Sequence, residues 1–385
     1  MTRLLKKKLL FLTNDFPPEE GGMEICAFEI SEGLKEFFDV RIIIGGKKKR
    51  KESFSLKRIF LPKFYPFKFL SVSIALFYDF IISGYDLIYI NTWSPFGLPV
   101  MFLSKIFRIK YFITCHGLDI AEPVKSRFHY NSMKLVLKNA SKLFCVSSYT
   151  QNLVKNYCGD SCLEKSKVIN NGINFKKFYR VDSVEAKRKT GLEFNAGFII
   201  LTVSRLTPRK GHKTVISALS KIINLYPDIL YVICGRGETE FELKSLVEKL
   251  NMSKNVCFTG FVQNEDLIYY YNSCDLFVML SDEILESGDV EGFGVSYLEA
   301  NACGKPVIAL NKSGAIDAVK HNVSGFLLNP DSDVESEFNG IIQKLYAKPE
   351  LIKKLGVSAE EYVRKNFSWD NQIQKYFSEM TYCLS

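Results

Sequence analysis

Short runs of apolar, often β-branched residues alternate along the whole chain with longer segments whose apolar positions recur at helical spacing. In the first half the short runs fall at 8–12, 40–44, 87–90, 111–114, 143–146 and 167–169, and they predict strands. Segments between them, such as 23–37 and 133–139, predict helices. A second series begins near Phe198, with strands expected at 198–203, 229–234, 256–259, 276–279, 306–309 and 325–328. Helices at 213–225 and 240–250 lie between these, and 369–382 has the pattern of a final helix. The polar, charged stretch 174–196 predicts a linker with a short helix. No repeat of solenoid length and no low-complexity tract interrupts the pattern. Strand–helix alternation predicts βαβ units, so the expected fold class is α/β with two doubly wound parallel sheets. Two such domains would face a cleft lined by the loops that follow the strands, the edge at which open α/β sheets bind ligands.

Length and composition fit this. At 385 residues the chain is long enough for two domains, each with its own core. Mean hydropathy is zero, with 47% hydrophobic and 24% charged residues, as in an ordinary globular protein. The net charge is +9, and part of the excess lies in the run Lys47, Lys48, Lys49, Arg50 and Lys51. Such a run suits an anionic membrane surface, a phosphorylated substrate, nucleic acid or plain solvent. The ten cysteines are scattered, and Cys158 and Cys162 have no second pair at zinc spacing. Most lie in apolar runs, as buried thiols of a reducing compartment would. The basic start followed by residues 9–12 imitates a signal peptide, but the apolar stretch is short and ends at Asn14 and Asp15. A first strand fits better. Residues 69–85 are rich in Phe, Ile and Leu but include Asp79, which suits a buried or interfacial helix better than a membrane span.

The candidate chemistry lies in loops after predicted strands. Gly21 and Gly22 open a helix, where bare N–H groups and the helix dipole can receive a phosphate; a plain turn would use them equally well. His116, within CHGLD, follows a strand and can face the cleft or serve only structurally. Arg205, Arg209 and Lys210 follow another strand and can neutralise a diphosphate, although Arg209 could be no more than a solvated loop charge. Gly235 and Gly237 flank Arg236 in a dinucleotide-like loop, but Glu240 stands where a third glycine would complete the motif. The sharpest signal is Glu291–Glu299, EGFGVSYLE, with a Gly-x-Gly turn just after the first of two carboxylates eight positions apart. The turn can present N–H groups to a phosphate, Glu299 can accept both ribose hydroxyls, and Glu291 can accept sugar hydroxyls. The only Asp-x-Asp, at Asp331 and Asp333, suits helix capping rather than metal. Neither a Ser–His–acid arrangement nor HExxH is visible.

The motifs FPPEEGG, CHGLD, VSS, NNGIN, VSRLTPRKG, GRG, FTGFV, EGFGVSYLEA and GKPVIA together resemble the family 4 retaining glycosyltransferases of the GT-B fold. Within that family the run SGAIDAVKHNVSGFLLNP looks most like bacterial phosphatidylinositol mannosyltransferases that use GDP-mannose. The resemblance implies two Rossmann-like domains, an acceptor-binding one at 1–185 and a nucleotide-sugar-binding one at 186–365, with a C-terminal helix at 366–385 crossing back to the first. It implies that Gly22 contacts the donor diphosphate, that Arg205 and Lys210 stabilise it as it leaves, and that Glu291 and His116 hold the transferred sugar. Glu299 would bind the ribose, Phe293, Gly294 and Val295 would offer amides near the phosphate, and Val262 would border the base. Many relatives carry a histidine where Asn91 stands and a proline where Asn170 stands, departures that bear on the acceptor.

The expected reaction is metal-independent, needs no cofactor, and transfers a hexose to a lipid-linked or saccharide acceptor. Polyprenyl-linked saccharide, lipopolysaccharide core, capsule repeat and phosphatidylinositol all stay open as acceptors. The only acid near His116 is Asp119, a candidate acceptor-side residue, so front-face substitution is expected over double displacement. The basic run, with the aromatic stretch 54–70, is expected to dock on an anionic leaflet at the inner face of the cytoplasmic membrane. Nucleic acid is not an expected partner. The rival readings are a UDP-sugar transferase, a nucleotide-sugar 2-epimerase and a non-catalytic sugar- or lipid-binding module; a phosphorylase would need a pyridoxal lysine and a much longer chain.

Overall fold

The computed structural model describes residues 6–17, 21–45, 57–61, 65–192, 196–284 and 288–384. The run from Lys47 to Lys51, and part of the 54–70 stretch, lie outside them. The chain divides into two compact units, Met1–Asn171 with Leu285–Gly292 and Trp369–Ser385, and Gly172–Ile284 with Phe293–Ser368.

The strands of the first unit are β1 (Lys8–Thr13), β2 (Asp39–Gly45), β3 (Lys57–Ile59), β4 (Leu87–Ile90), β5 (Lys110–Cys115), β6 (Lys142–Cys145) and β7 (Ser166–Val168). Its helices are α1 (Gly22–Leu34), α2 (Tyr65–Ser83), α3 (Gly97–Phe107), α4 (Leu118–Ala121), α5 (Arg127–Asn139), α6 (Ser148–Cys158) and α7 (Asp160–Leu163). All the strands pair in parallel, in the order β3-β2-β1-β4-β5-β6-β7. Burial on both faces explains the near-continuous apolar runs. Leu9 and Phe11 of β1 join a cluster with Cys26, Ile30 and Leu34 of α1, while Leu10 and Leu12 join the opposite cluster with Val72, Leu76 and Val100. The short β3 went unpredicted; only Ile59 of its three residues is buried, so it carries little apolar signal.

The second unit holds α8 (Ser183–Thr190), β8 (Phe198–Val203), α9 (His212–Ser220), β9 (Ile229–Cys234), α10 (Glu240–Lys249), β10 (Val256–Gly260) and α11 (Leu267–Ser273). It continues with β11 (Leu276–Met279), α12 (Val295–Ala302), β12 (Val307–Leu310), α13 (Ala315–Ala318), β13 (Gly325–Leu328), α14 (Val334–Tyr346) and α15 (Pro349–Asn366). Its sheet is also parallel, ordered β10-β9-β8-β11-β12-β13. Asp333 caps α14 by accepting from the Ser336 N–H, the capping role expected of the Asp-x-Asp segment. The final helix α16 (Trp369–Tyr382) returns to the first unit, where Phe377 stacks on Phe37 at 4.1 Å between ring centroids.

In each unit the strand order reverses direction beside the first strand, between β1 and β4 and between β8 and β11. Helices leave opposite faces there, and a crevice opens at the carboxyl ends of the strands. All ten cysteines are free thiols, eight of them buried. Among the described residues no helix is long and apolar enough to cross a membrane, and no group of three His, Cys, Asp or Glu side chains could hold a metal ion.

Candidate active site

In the first unit, His116 lies immediately past β5, beside the reversal point, and is buried. Its Nε2 is 2.9 Å from the backbone carbonyl of Asn91, the residue that follows β4. Donation to that carbonyl fixes the tautomer with the proton on Nε2. Burial drops the imidazole pKa to about 4, so the ring is neutral at physiological pH. The His116 N–H donates to Asp119 Oδ1 at 2.8 Å, and the Trp93 indole N–H donates to the Asp119 carbonyl at 2.7 Å. Burial raises the Asp119 carboxyl to about 7, against the backbone donors that lower it. Its Oδ2 is buried without a hydrogen-bond partner, as are both side-chain polar atoms of Asn91.

Glu291 is buried in this unit too, within the segment Leu285–Gly292, although the chain on either side of that segment belongs to the second unit. The following Gly292 anchors it. The Ser147 hydroxyl donates to the Gly292 carbonyl at 2.6 Å, and Thr150 reaches the same oxygen at 3.4 Å. A β-carbon on Gly292 would stand 1.9 Å from the His116 carbonyl oxygen. On the neighbouring loop Gly117 has a φ of 103°, and a β-carbon there would come within 3.0 Å of the Gly292 Cα. His116 and Glu291, 175 positions apart, thus sit on two loops pressed backbone to backbone.

Gly21 is the N-cap of α1 in an extended conformation, with no side-chain cap, and Glu24 occupies the first turn. Gly22 is the first helical residue, and a β-carbon on it would meet no atom within 4 Å. The fold therefore does not require glycine there.

In the second unit, Arg205 is exposed in the loop after β8, and Lys210 ends a short 3₁₀ turn, Pro208–Lys210. The Lys210 ammonium lies 3.5 Å from the Met279 sulfur, at the end of β11. Met279 also accepts the Tyr297 hydroxyl on its carbonyl at 2.7 Å. Its methyl lies 3.7 Å from where a Gly294 β-carbon would stand. Lys210 and the start of α12 therefore converge on one residue. Gly294 caps that helix at φ 88°, no side chain caps it, and Val295 begins it. Phe293 is buried against Phe367, with ring centroids 5.9 Å apart, so its side chain anchors the turn.

Glu299, one turn further along α12, is buried and accepts the Tyr271 hydroxyl at 2.6 Å. Burial raises its carboxyl pKa, and the Tyr271 bond opposes the rise. Sequence reasoning missed Tyr271. It is the one member of the Tyr269, Tyr270, Tyr271 run that is fully buried, and a buried phenol needs a partner.

Three residues turn out to carry structure. Arg209 is buried, not solvated, and donates to the Ser281 hydroxyl at 2.9 Å. Gly235 donates its N–H to the Gly260 carbonyl at 2.8 Å, and a β-carbon on it would stand 1.9 Å from the Ser204 carbonyl. The glycine thus lets the loops after β8 and β9 meet. His212 is held between Tyr231 and Ser204, and burial drops its pKa to about 4. Val262 is half-buried two residues past β10.

Comparison with known families agrees with this layout. The model for Glycosyltransferase Family 4 matches residues 20–177, and that for Glycosyl transferases group 1 matches 183–362. The chain is a GT-B glycosyltransferase, built from a family 4 domain and a group 1 domain. A GDP-mannose-dependent monoacylated alpha-(1-6)-phosphatidylinositol monomannoside mannosyltransferase of Corynebacterium glutamicum is 25% identical, covering 94% of this chain and 95% of that one. A GDP-mannose-dependent alpha-(1-6)-phosphatidylinositol monomannoside mannosyltransferase of Mycobacterium tuberculosis is 23% identical, covering 96% of each. Among solved structures, HepE of Anabaena in complex with UDP superposes with a TM-score of 0.79 at 23% identity, covering 97% of this glycosyltransferase and 99% of that chain.

Proposed function

We propose that this glycosyltransferase moves a hexose, with mannose from GDP-mannose the best-supported donor, onto a lipid-linked or saccharide acceptor of cell-envelope glycan or glycolipid synthesis, with retention at the anomeric carbon. The observation that carries the donor reading is the convergence of the Lys210 ammonium and the uncapped N-terminus of α12 on Met279. A point cation beside a helix N-terminus suits a diphosphate leaving group. In this reading Arg205 and Lys210 neutralise the developing charge without a metal or other cofactor. Phe293, Gly294 and Val295 bring amides to the phosphate, Gly22 does the same from α1, Glu299 takes the ribose hydroxyls, and Val262 borders the base. Glu291 and neutral His116 hold the transferred sugar. The names of the two mannosyltransferase relatives support GDP-mannose. HepE, crystallised with UDP, favours a UDP-sugar as the second reading.

A front-face substitution suits the first unit best. A double displacement needs an ionised carboxylate beneath the sugar. Burial raises Asp119 to about 7, so a large share of it is protonated at neutral pH, and the His116 N–H already occupies one of its carboxylate oxygens. The leaving diphosphate then takes the acceptor proton, while Arg205 and Lys210 stabilise it. Trapping a glycosyl adduct on Asp119 would overturn this.

The test is calorimetric binding of GDP, UDP, ADP and their sugar conjugates, with and without magnesium, to the wild type and to Lys210→Ala. Magnesium-independent GDP or GDP-mannose binding that the variant loses is expected. Preference for a UDP-sugar moves the enzyme to the second reading, and a strict magnesium requirement sinks the metal-independent one.

A further inference from the structure

Helix α2 is apolar on both sides. Val72, Leu76 and Phe80 point into the core. On the opposite side Phe67, Ile74, Tyr78 and Ile81 recur at spacings of three to seven residues and are all exposed, Ile81 by 63%. A surface helix of a globular domain carries polar residues on its outer face, so this pattern is inverted. Neighbouring α3 continues it with Phe102 and Ile106, the latter 65% exposed. Phe69 of α2 meets Phe102 edge-on at 6.2 Å, which sets the two outer faces side by side.

Charge narrows what can cover this surface. The sole acid of α2, Asp79, is buried beneath the helix, bonded to Arg41 at 2.9 Å, to Lys57 and to Tyr85. Helix α3 has no acid, so neither helix exposes one. Lys105 and Arg108 are exposed at the end of α3. A second copy of the chain docking face to face would bring these cations together, which is unfavourable. An anionic bilayer offers both acyl chains and negative headgroups.

We infer that the outer face of α2 and α3 lies in the interface of an anionic lipid membrane, with its apolar side chains at the acyl boundary and Lys105 and Arg108 at the headgroups. The inference is independent of which nucleotide sugar is the donor. It concerns a folded helical surface, separate from the basic run at Lys47, which lies outside the described residues.

The test is co-sedimentation of the full chain with phosphatidylglycerol–phosphatidylcholine vesicles and with phosphatidylcholine alone, beside Ile74→Glu/Ile81→Glu and Lys105→Glu/Arg108→Glu. The wild type should bind the anionic vesicles, and less so in high salt. The isoleucine variant should lose about tenfold or more in affinity, since two buried apolar side chains are lost. The charge variant should lose the preference for anionic lipid. Melting temperature and nucleotide binding should stay at wild-type values in both, which separates this result from any failure of the donor reading. The inference is overturned by absent vesicle binding, by binding that Ile74→Glu/Ile81→Glu leaves intact, or by a wild-type dimer in sedimentation velocity that the same variant converts to monomer.

Discussion

Gly292 lies so close to His116 that a β-carbon on it would stand 1.9 Å from the His116 carbonyl oxygen. That neighbour is backbone and has no rotamer with which to yield. Gly292→Ala should therefore shift both loops, costing about 1–3 kcal/mol of stability as an overpacked contact does. If Glu291 and His116, which ride on those loops, hold the transferred sugar as proposed, kcat/KM should fall about 100-fold, as for a misplaced catalytic group. Thermal melting and initial-rate kinetics on the purified variant check both parts. Wild-type values in both would refute the argument.

Gly22 gives the opposite case. A β-carbon there would meet no atom within 4 Å, so Gly22→Ala should melt with the wild type. If the start of α1 receives the donor diphosphate, the methyl should still weaken donor binding about tenfold by crowding the approach of the phosphate. Calorimetry with the nucleotide diphosphate reads this out. Unchanged affinity would remove α1 from the donor site.

The Tyr271 hydroxyl donates to Glu299 at 2.6 Å, and both groups are buried. Tyr271→Phe leaves that carboxylate short of a donor, a loss of about 1–3 kcal/mol. If Glu299 takes the ribose hydroxyls as proposed, nucleotide affinity should fall with it, because that acid is no longer held. Glu299→Gln keeps the shape but removes the charge, and should cost affinity with little loss of melting temperature. Equal loss of stability in both variants, with affinity intact, would make the pair purely structural.

Burial raises the Asp119 carboxyl from 3.8 to about 7, and this sets the sign of a pH effect. At low pH the group is protonated in both folded and unfolded chains and changes nothing. As pH climbs past the ordinary carboxyl value, the unfolded chain ionises first, so the native state loses stability until about pH 7. Asp119→Asn keeps an acceptor for the His116 N–H and cannot ionise. Its melting temperature relative to wild type should rise by a few degrees between about pH 4 and pH 8. A flat difference would show that the carboxyl titrates normally.

Much of this protein follows from the order of its residues alone. The elements are set by local periodicity, so the expected strands at 198–203, 229–234, 276–279 and 325–328 and the final helix at 369–382 coincide with β8, β9, β11, β13 and α16. The loops holding His116, Arg205, Lys210 and the Gly294 turn follow strands for the same reason. What each residue touches is another matter. The burial of Arg209 against Ser281, the Gly235 N–H satisfied by Gly260, and the partnership of Tyr271 with Glu299 turn on contacts between segments distant in sequence. So does the placement of Glu291 in the first unit, which rests on Ser147 and Thr150 gripping the Gly292 carbonyl. The outward apolar face of α2 is legible in sequence only as hydrophobicity. Periodicity records that a face is apolar, whereas only packing against Val100, Ile88 and their neighbours decides which of the two faces is covered and which is left for something else.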